Sequence, residues 1–422
     1  MSQTPPPTEH LATLYEITRS LNSTLDLAAV LNYVMDRVIQ VTGAERGFLM
    51  LLDKETGAFN FKVARGMNQD ELENPKFSIS RTIVREVQET SQPLLTDNAQ
   101  SQFSNQQSVV MMALRSIMCV PIQVRDEMIG LVYVDNRMFT GVFNPQHLEL
   151  VTAFAAQAGF AIENARLYEI AIEQGRMQRE LEMAHNIQRG MLPVNFPVIT
   201  GYEVAVSWES AREVAGDFYD CFLLEDGQVM GVVTADVSDK GAPAALFMAV
   251  ASRLLRGNAI SAREPQEALH KTNALILHDE STTASGMFVT VYYAVFEPGG
   301  RMLGVNAGHN LPLLWRARDH SVEWLPKGGI PLGWFEQMPL KTVYYQLEPG
   351  DVLVFYTDGL TEAENVHGEP FGEDRLVAMV QQLAPHAHAQ EINVGINQAV
   401  EDFIGAAPPF DDRTLVVVRY TG

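Results

Sequence analysis

The chain has 422 residues, 46% hydrophobic and 19% charged, which gives room for two or three globular domains with sizeable cores. A formal net charge of −22 argues against partners such as nucleic-acid phosphates or anionic membrane surfaces, which attract basic patches. The two cysteines, Cys119 and Cys221, each sit in an apolar run and read as buried thiols rather than a disulfide or zinc site. With no basic-then-apolar leader and no apolar run of ~18 residues, a cytoplasmic protein is expected.

Residues 1–8, with Pro5-Pro6-Pro7, read as a disordered arm. Leu11, Leu14, Ile17 and Leu21 then recur at helical spacing, Asn22–Asp26 breaks that helix, and a second one carries Val30, Leu31, Val34, Val38 and Val41 until Gly43 closes it. Strands are expected at Gly47–Asp53 and Phe59–Gly66, then at Ser116–Val124 and Met128–Asp135, each pair a hairpin. Helices flanking an antiparallel sheet make residues 9–165 an α+β domain of sensor size. The stretches GAERGFLMLLD (43–53), LRSIMCVPI (114–122) and IGLVYVDN (129–136) resemble a GAF domain. That resemblance implies an effector, a small molecule or a protein. Asn136-Arg137 and Phe143 match part of the cyclic-nucleotide pattern, but His147-Leu148 stands in place of its acidic pair, so cyclic nucleotide is not the expected ligand.

Asn144-Pro145 is a helix start, with Asn as N-cap and Pro at the first helical position, and no proline follows until Pro193. Such a helix would span ~70 Å at 1.5 Å per residue. In residues 166–194, Leu167, Ile170, Gln174, Met177, Leu181, Ala184, Gln188 and Met191 alternate at three- and four-residue spacing, a coiled-coil-like linker interrupted by two glutamines and Gly175. A parallel homodimer is the expected use of that seam; packing against the chain's own domains is the alternative.

Residues 195–422 change to many strands: 202–209, 217–224, 228–235, 288–296, 301–306, 311–316, 341–347, 351–357 and 413–420. Helices fit Ala242–Gly257, Pro265–His278, Glu373–Leu383 and Gln390–Gly405, which makes a two-sheet sandwich with helices outside. Asp217 starts one apolar strand, Asp236 ends the next after a turn at Asp226-Gly227, Asp358 ends a third, and Asp411-Asp412 precedes a fourth. Carboxylates gathered at strand ends repel one another unless cations neutralise them, and an all-oxygen donor set suits magnesium or manganese. Gly216, Gly241 and Gly359 beside them either allow close backbone approach or simply make turns. His309, entering a turn, reads as loop packing before metal ligand.

The segments ELEMAHNIQRGMLP (180–193), AREVAGDFYD (211–220), DVSDKGAPAALFM (236–248), NAGHNLPLL (306–314), GGIPLG (328–333), YTDGLTEA (356–363) and DDRTLVVV (411–418) together resemble the sporulation and stress-response branch of the PPM metal-dependent serine/threonine phosphatases. The resemblance implies an α-β-β-α sandwich and two Mn2+ or Mg2+ ions. It also implies that Asp217, Asp236, Asp358 and Asp411 act as ligands, Asp236 bridging and the Val237 carbonyl adding a donor. The substrate it implies is a phosphorylated protein, for which an anti-sigma-factor antagonist is the family precedent. Ala215 and Asp239 replace usual glycines, Leu311 a usual proline, and Ser238 stands where animal relatives have a histidine. Competing readings are a catalytically silent GAF-containing dimeric scaffold and a hydrolase of small phosphate esters.

Overall fold

The computed structural model describes residues 26–53, 56–66, 80–96, 115–197, 199–224, 227–262, 264–278 and 286–422. The expected arm, the first expected helix and Asp226 of the turn lie outside them. The chain divides into two compact units, Met1–Arg176 and Met177–Gly422.

In the first unit, α1 (Leu27–Thr42) starts on Asp26, whose carboxylate accepts the backbone N–H groups of Ala28 at 2.9 Å and Ala29 at 3.3 Å. It ends on Gly43, whose φ of 62° is the left-handed cap a glycine adopts without strain. Strands β1 (Arg46–Leu52), β2 (Phe59–Arg65), β3 (Leu94–Thr96), β4 (Ser116–Val124) and β5 (Glu127–Asn136) form one antiparallel sheet ordered β2-β1-β5-β4-β3, with α2 (Arg81–Thr90) between β2 and β3 in sequence. Arg46 lies beside Asp135 across β1 and β5, and its guanidinium donates to both carboxylate oxygens at 2.9 and 2.6 Å with both side chains buried.

Helix α3 runs unbroken from Pro145 to Met191, with the Asn144 side chain accepting the His147 N–H at 2.9 Å as its cap. Its first turns bury Val151, Phe154, Ala155, Ala158 and Ile162 in the core shared with α1. From Arg166 to Ile187 every side chain is exposed except Leu181 and His185, which are half-buried. Gln188 departs from the expected seam, because it is buried within the second unit.

The second unit is a sandwich of two five-stranded sheets. One is ordered β13-β10-β9-β8-β7 from Thr342–Gln346, Arg301–Ala307, Val289–Phe296, Val229–Val237 and Phe218–Leu224. The other is β12-β11-β14-β15-β6 from Val322–Trp324, Leu313–Trp315, Val352–Tyr356, Arg413–Tyr420 and Tyr202–Glu209. Between the sheets lie Met230, Val232, Tyr292, Phe296, Phe355 and Val416. Helices α4 (Ala242–Ser261) and α5 (Pro265–His278) cover the first sheet, burying Phe247, Met248, Leu255 and Leu269. Helices α7 (Gly372–Leu383) and α8 (Ala389–Ile404) cover the second with Leu376, Val380, Ile392 and Ile396. A four-residue helix, α6 (Asp358–Thr361), follows β14.

Three local differences from the sequence reading matter. Strand β8 runs on to Val237, so Asp236 pairs with Thr290 inside the ladder instead of ending the strand. Helix α4 passes through Gly257, where an added side chain would meet nothing within 4 Å. The short strands β3 and β12 were not expected. Among the described residues no helix is long and apolar enough to cross a membrane.

Candidate active site

The expected aspartates come from both sheets of the sandwich. Asp217 immediately precedes β7 and is buried, its Oδ2 accepting the Thr357 hydroxyl at 2.6 Å and the Thr414 hydroxyl at 2.8 Å. Thr357 follows β14 and Thr414 is the second residue of β15, and the Thr414 N–H donates to the Thr357 hydroxyl oxygen at 2.9 Å. This threonine pair ties the first sheet's carboxylate to the second sheet's strand ends. Neither threonine stood out in the sequence, since each reads as an ordinary strand residue.

Asp411 and Asp412 have different tasks. The Asp412 carboxylate accepts the backbone N–H groups of Ala211 and Gly216, both at 2.8 Å, and so fixes the loop that leads into Asp217. Asp411 accepts the Asp412 N–H on Oδ1 at 2.9 Å and meets the Lys240 ammonium on Oδ2 at 2.7 Å. Gly359 makes this approach possible, because an added Cβ would lie 2.0 Å from the Asp412 carbonyl oxygen. Gly216 is tight as well, its Cβ position 3.1 Å from the Val237 carbonyl oxygen, which places that carbonyl beside the Asp217 loop.

The turn after β8 keeps the conformation that a glycine would favour at residue 239. Asp239 has φ of 77° and Gly241 φ of 82°, while the Asp239 carboxylate accepts the Lys240 N–H at 2.8 Å. Ser238 is engaged in a reciprocal pair with Phe288: its hydroxyl accepts the Phe288 N–H, and its own N–H donates to the Phe288 carbonyl, each at 2.9 Å. His309 is buried, with Nδ1 2.9 Å from the Thr290 hydroxyl, and that hydroxyl donates to the Asp236 carbonyl at 3.3 Å. Burial lowers its pKa to about 3, so the imidazole is neutral near pH 7 and packs the loop as a positioning group.

The electrostatics follow from crowding. Burial, then Asp236 and Asp412, push Asp217 well above the usual carboxylate range against the pull of its threonine donors. Burial, then Asp358, raise Asp236 to about 7, opposed by a hydrogen bond to Asp217. Burial and then Asp411 raise Asp358, with Lys240 opposing. Such a group must carry either protons or cations near neutral pH.

Oxygen-only donors of this charge fit a hard divalent cation. Among the described residues, however, no three side chains of His, Cys, Asp or Glu are grouped so that they could hold a metal ion as they stand. Asp411 is paired with Lys240, and Asp217 is held by two threonines. A cleft of about 340 Å3 is lined by Asp411 together with Ala363, Glu364, Ile404, Phe410 and Arg413.

Two family models match the chain: the GAF domain over residues 26–162 and stage II sporulation protein E over residues 226–421. The second range includes Asp236, Asp358 and Asp411 but begins after Asp217. Protein IcfG of Synechocystis is 30% identical over 274 residues, 58% of this chain and 42% of its own length. Phosphoserine phosphatase RsbU of Bacillus subtilis is 24% identical over 254 residues, covering 58% of this chain and 71% of its own. The chain thus spans less than half of the first relative and about seven-tenths of the second. Among solved structures, the SiaA-PP2C domain of Pseudomonas aeruginosa superposes with a TM-score of 0.52 at 22% identity, over 59% of this chain and 99% of that one, which shows a shared fold.

Proposed function

We propose that this chain, which joins a GAF domain to a stage II sporulation protein E-type PPM domain, is a divalent-metal-dependent phosphoserine/phosphothreonine protein phosphatase. The observation that carries the reading is the convergence of Asp217, Asp236 and Asp358 within electrostatic reach of one another and of the Asp411-Asp412 loop, at the cost of raised pKa values. A silent scaffold gains nothing from buried carboxylates that repel one another.

Asp217, Asp236, the Val237 carbonyl, Asp358 and Asp411 would hold two Mn2+ or Mg2+ ions. When bound, those ions supply the Lewis acidity that activates water and offsets phosphoryl charge. The protein's own part is positioning. Thr357 and Thr414 aim Asp217 by occupying Oδ2. Asp412 holds the Ala211–Gly216 loop, and the His309–Thr290 pair supports the Asp236 carbonyl. Ser238, engaged with Phe288, is positioned as a turn support and not as a proton donor. The cleft beside Asp411 accommodates residues flanking the phosphorylated side chain, as a protein substrate requires.

An anti-sigma-factor antagonist is the proposed substrate, and an effector of the GAF domain, a small molecule or protein, is the proposed regulator. The exposed stripe of Leu167, Ile170 and Met177 on α3 supports a homodimer through residues 166–194 in a cytoplasmic protein. On this reading the domains are a GAF sensor at 9–165, a helical linker at 166–194 and a phosphatase at 195–422. Hydrolysis of an aryl phosphate and of a phosphoserine peptide, with manganese and with chelator, tests the activity. Turnover unaffected by chelator contradicts it.

A further inference from the structure

Lys240 lies in the turn between Asp236 and α4, where the sequence gives it no role of its own. Its ammonium nevertheless makes all of its described contacts with a segment 170 residues away. It stands 2.7 Å from Asp411 Oδ2, donates to the Phe410 carbonyl at 3.2 Å, and sits 4.6 Å over the Phe410 ring. The left-handed residues on either side, Asp239 and Gly241, give the turn its shape, and the Asp239 carboxylate takes the Lys240 N–H. The charge also reaches Asp358 and Glu362, lowering both of their pKa values against burial and neighbouring carboxylates.

Both Asp411 oxygens are therefore engaged, Oδ1 by the Asp412 N–H and Oδ2 by Lys240. A backbone N–H fixed by the chain cannot leave without unfolding the loop, whereas an ammonium at the end of a four-carbon stem can. A cation that binds Asp411 through Oδ2 competes there with Lys240. Asp217 is in a different position, since its Oδ2 is held by two neutral hydroxyls and meets no ammonium.

We infer that Lys240 is a tethered cation that competes with a divalent ion for Asp411, and so sets the concentration at which the Asp358/Asp411 half of the site fills. The inference rests on the metal-dependent reading proposed above. A tethered competitor is present at an effective concentration in the millimolar range whatever the solution contains. The two halves of the site should accordingly differ in affinity: the half around Asp217 fills first, and the half around Asp411 fills only when the free ion outcompetes the ammonium.

The test is a calorimetric titration of Mn2+ and then Mg2+ into the full chain, into Lys240→Gln and into Lys240→Arg. Lys240 is more than a third exposed, so neither change disturbs the core. The expected result is that Lys240→Gln tightens the weaker binding step roughly two- to fivefold and leaves the tighter step unchanged, the range for removing a half-exposed ion pair. Lys240→Arg, which keeps the charge, stays within twofold of the wild type. Identical titrations for all three proteins, or weaker binding by Lys240→Gln, overturn the inference while leaving the metal-dependent reading intact. No binding of either ion by the wild-type chain overturns that reading and the inference with it.

Discussion

Gln188 holds Ala215 by both of its backbone groups: the amide nitrogen donates to the Ala215 carbonyl at 2.6 Å, and the amide oxygen accepts the Ala215 N–H at 3.0 Å. Both residues are buried, and Ala215 is two positions before Asp217. The end of the long helix is thus built into the loop that carries a candidate ligand. Replacing Gln188 with Ala leaves a buried N–H and a buried C=O without partners, at about 1–3 kcal/mol for each. We expect a 177–422 fragment to be more stable than a 195–422 fragment by a comparable amount, and Gln188→Ala in the longer fragment to abolish the difference. Urea denaturation of the three proteins checks this, and equal stabilities for both wild-type fragments contradict it.

His309 gives a prediction with a definite sign. Its folded pKa, about 3, lies below the ordinary value of 6.5 that it regains on unfolding. Between those values the unfolded chain binds the extra proton, so stability falls as pH drops from 6.5 and is fully present above it. The contribution is at most about 1.4 kcal/mol per pH unit in that window. The second unit carrying His309→Gln should show a shallower loss of stability between pH 6.5 and 4.5 than the wild type. Parallel stability curves for the two proteins count against a neutral buried imidazole.

In the first unit, the Arg46–Asp135 pair is buried with both guanidinium contacts formed. Burial raises the Asp135 pKa despite Arg46, which shows how much desolvation the pair has to offset. Asp135→Ala leaves Arg46's charge buried without this partner and should destabilise the GAF unit by about 3–5 kcal/mol. Two-transition denaturation of the full chain checks it: the transition of the first unit should move, and that of the second should stay.

Crowding of the aspartates predicts a stability gain alongside a functional loss. Asp236, raised to about 7 by burial and then by Asp358, is costly to ionise in the folded chain. In chelator at pH 8, Asp236→Asn should therefore be more stable than the wild type, by on the order of 1–3 kcal/mol. A less stable variant under those conditions removes the argument that the site strains against its own charge.

What the sequence revealed depended on how local each signal was. Strand and helix periods, the Asn144-Pro145 start and the Asp-bearing motifs are all written within a dozen residues, and the sandwich follows from them. Val322–Trp324 is invisible in the sequence because three residues of mixed polarity carry no period, and Gly257 reads as a helix end although open space surrounds it. Gln188 looked like a flaw in a coiled-coil seam because its partner, Ala215, is 27 positions away. The same holds for Thr357 and Thr414 on Asp217 and for Lys240 on Asp411, where pairings across 140 to 197 positions decide what each side chain does. Motif spacing names candidate ligands, whereas the groups that aim them are visible only once the sheets are stacked.

The most direct test of the account is manganese-dependent hydrolysis of a phosphoserine peptide by the wild-type chain, Asp236→Asn and Asp358→Asn, each stripped with chelator and resupplied with Mn2+. The account predicts that the wild type regains turnover while both variants remain folded and lose at least about a hundredfold, because the carboxylates that would hold the ions have lost charge. Turnover of the Asp236→Asn protein at the wild-type level contradicts it.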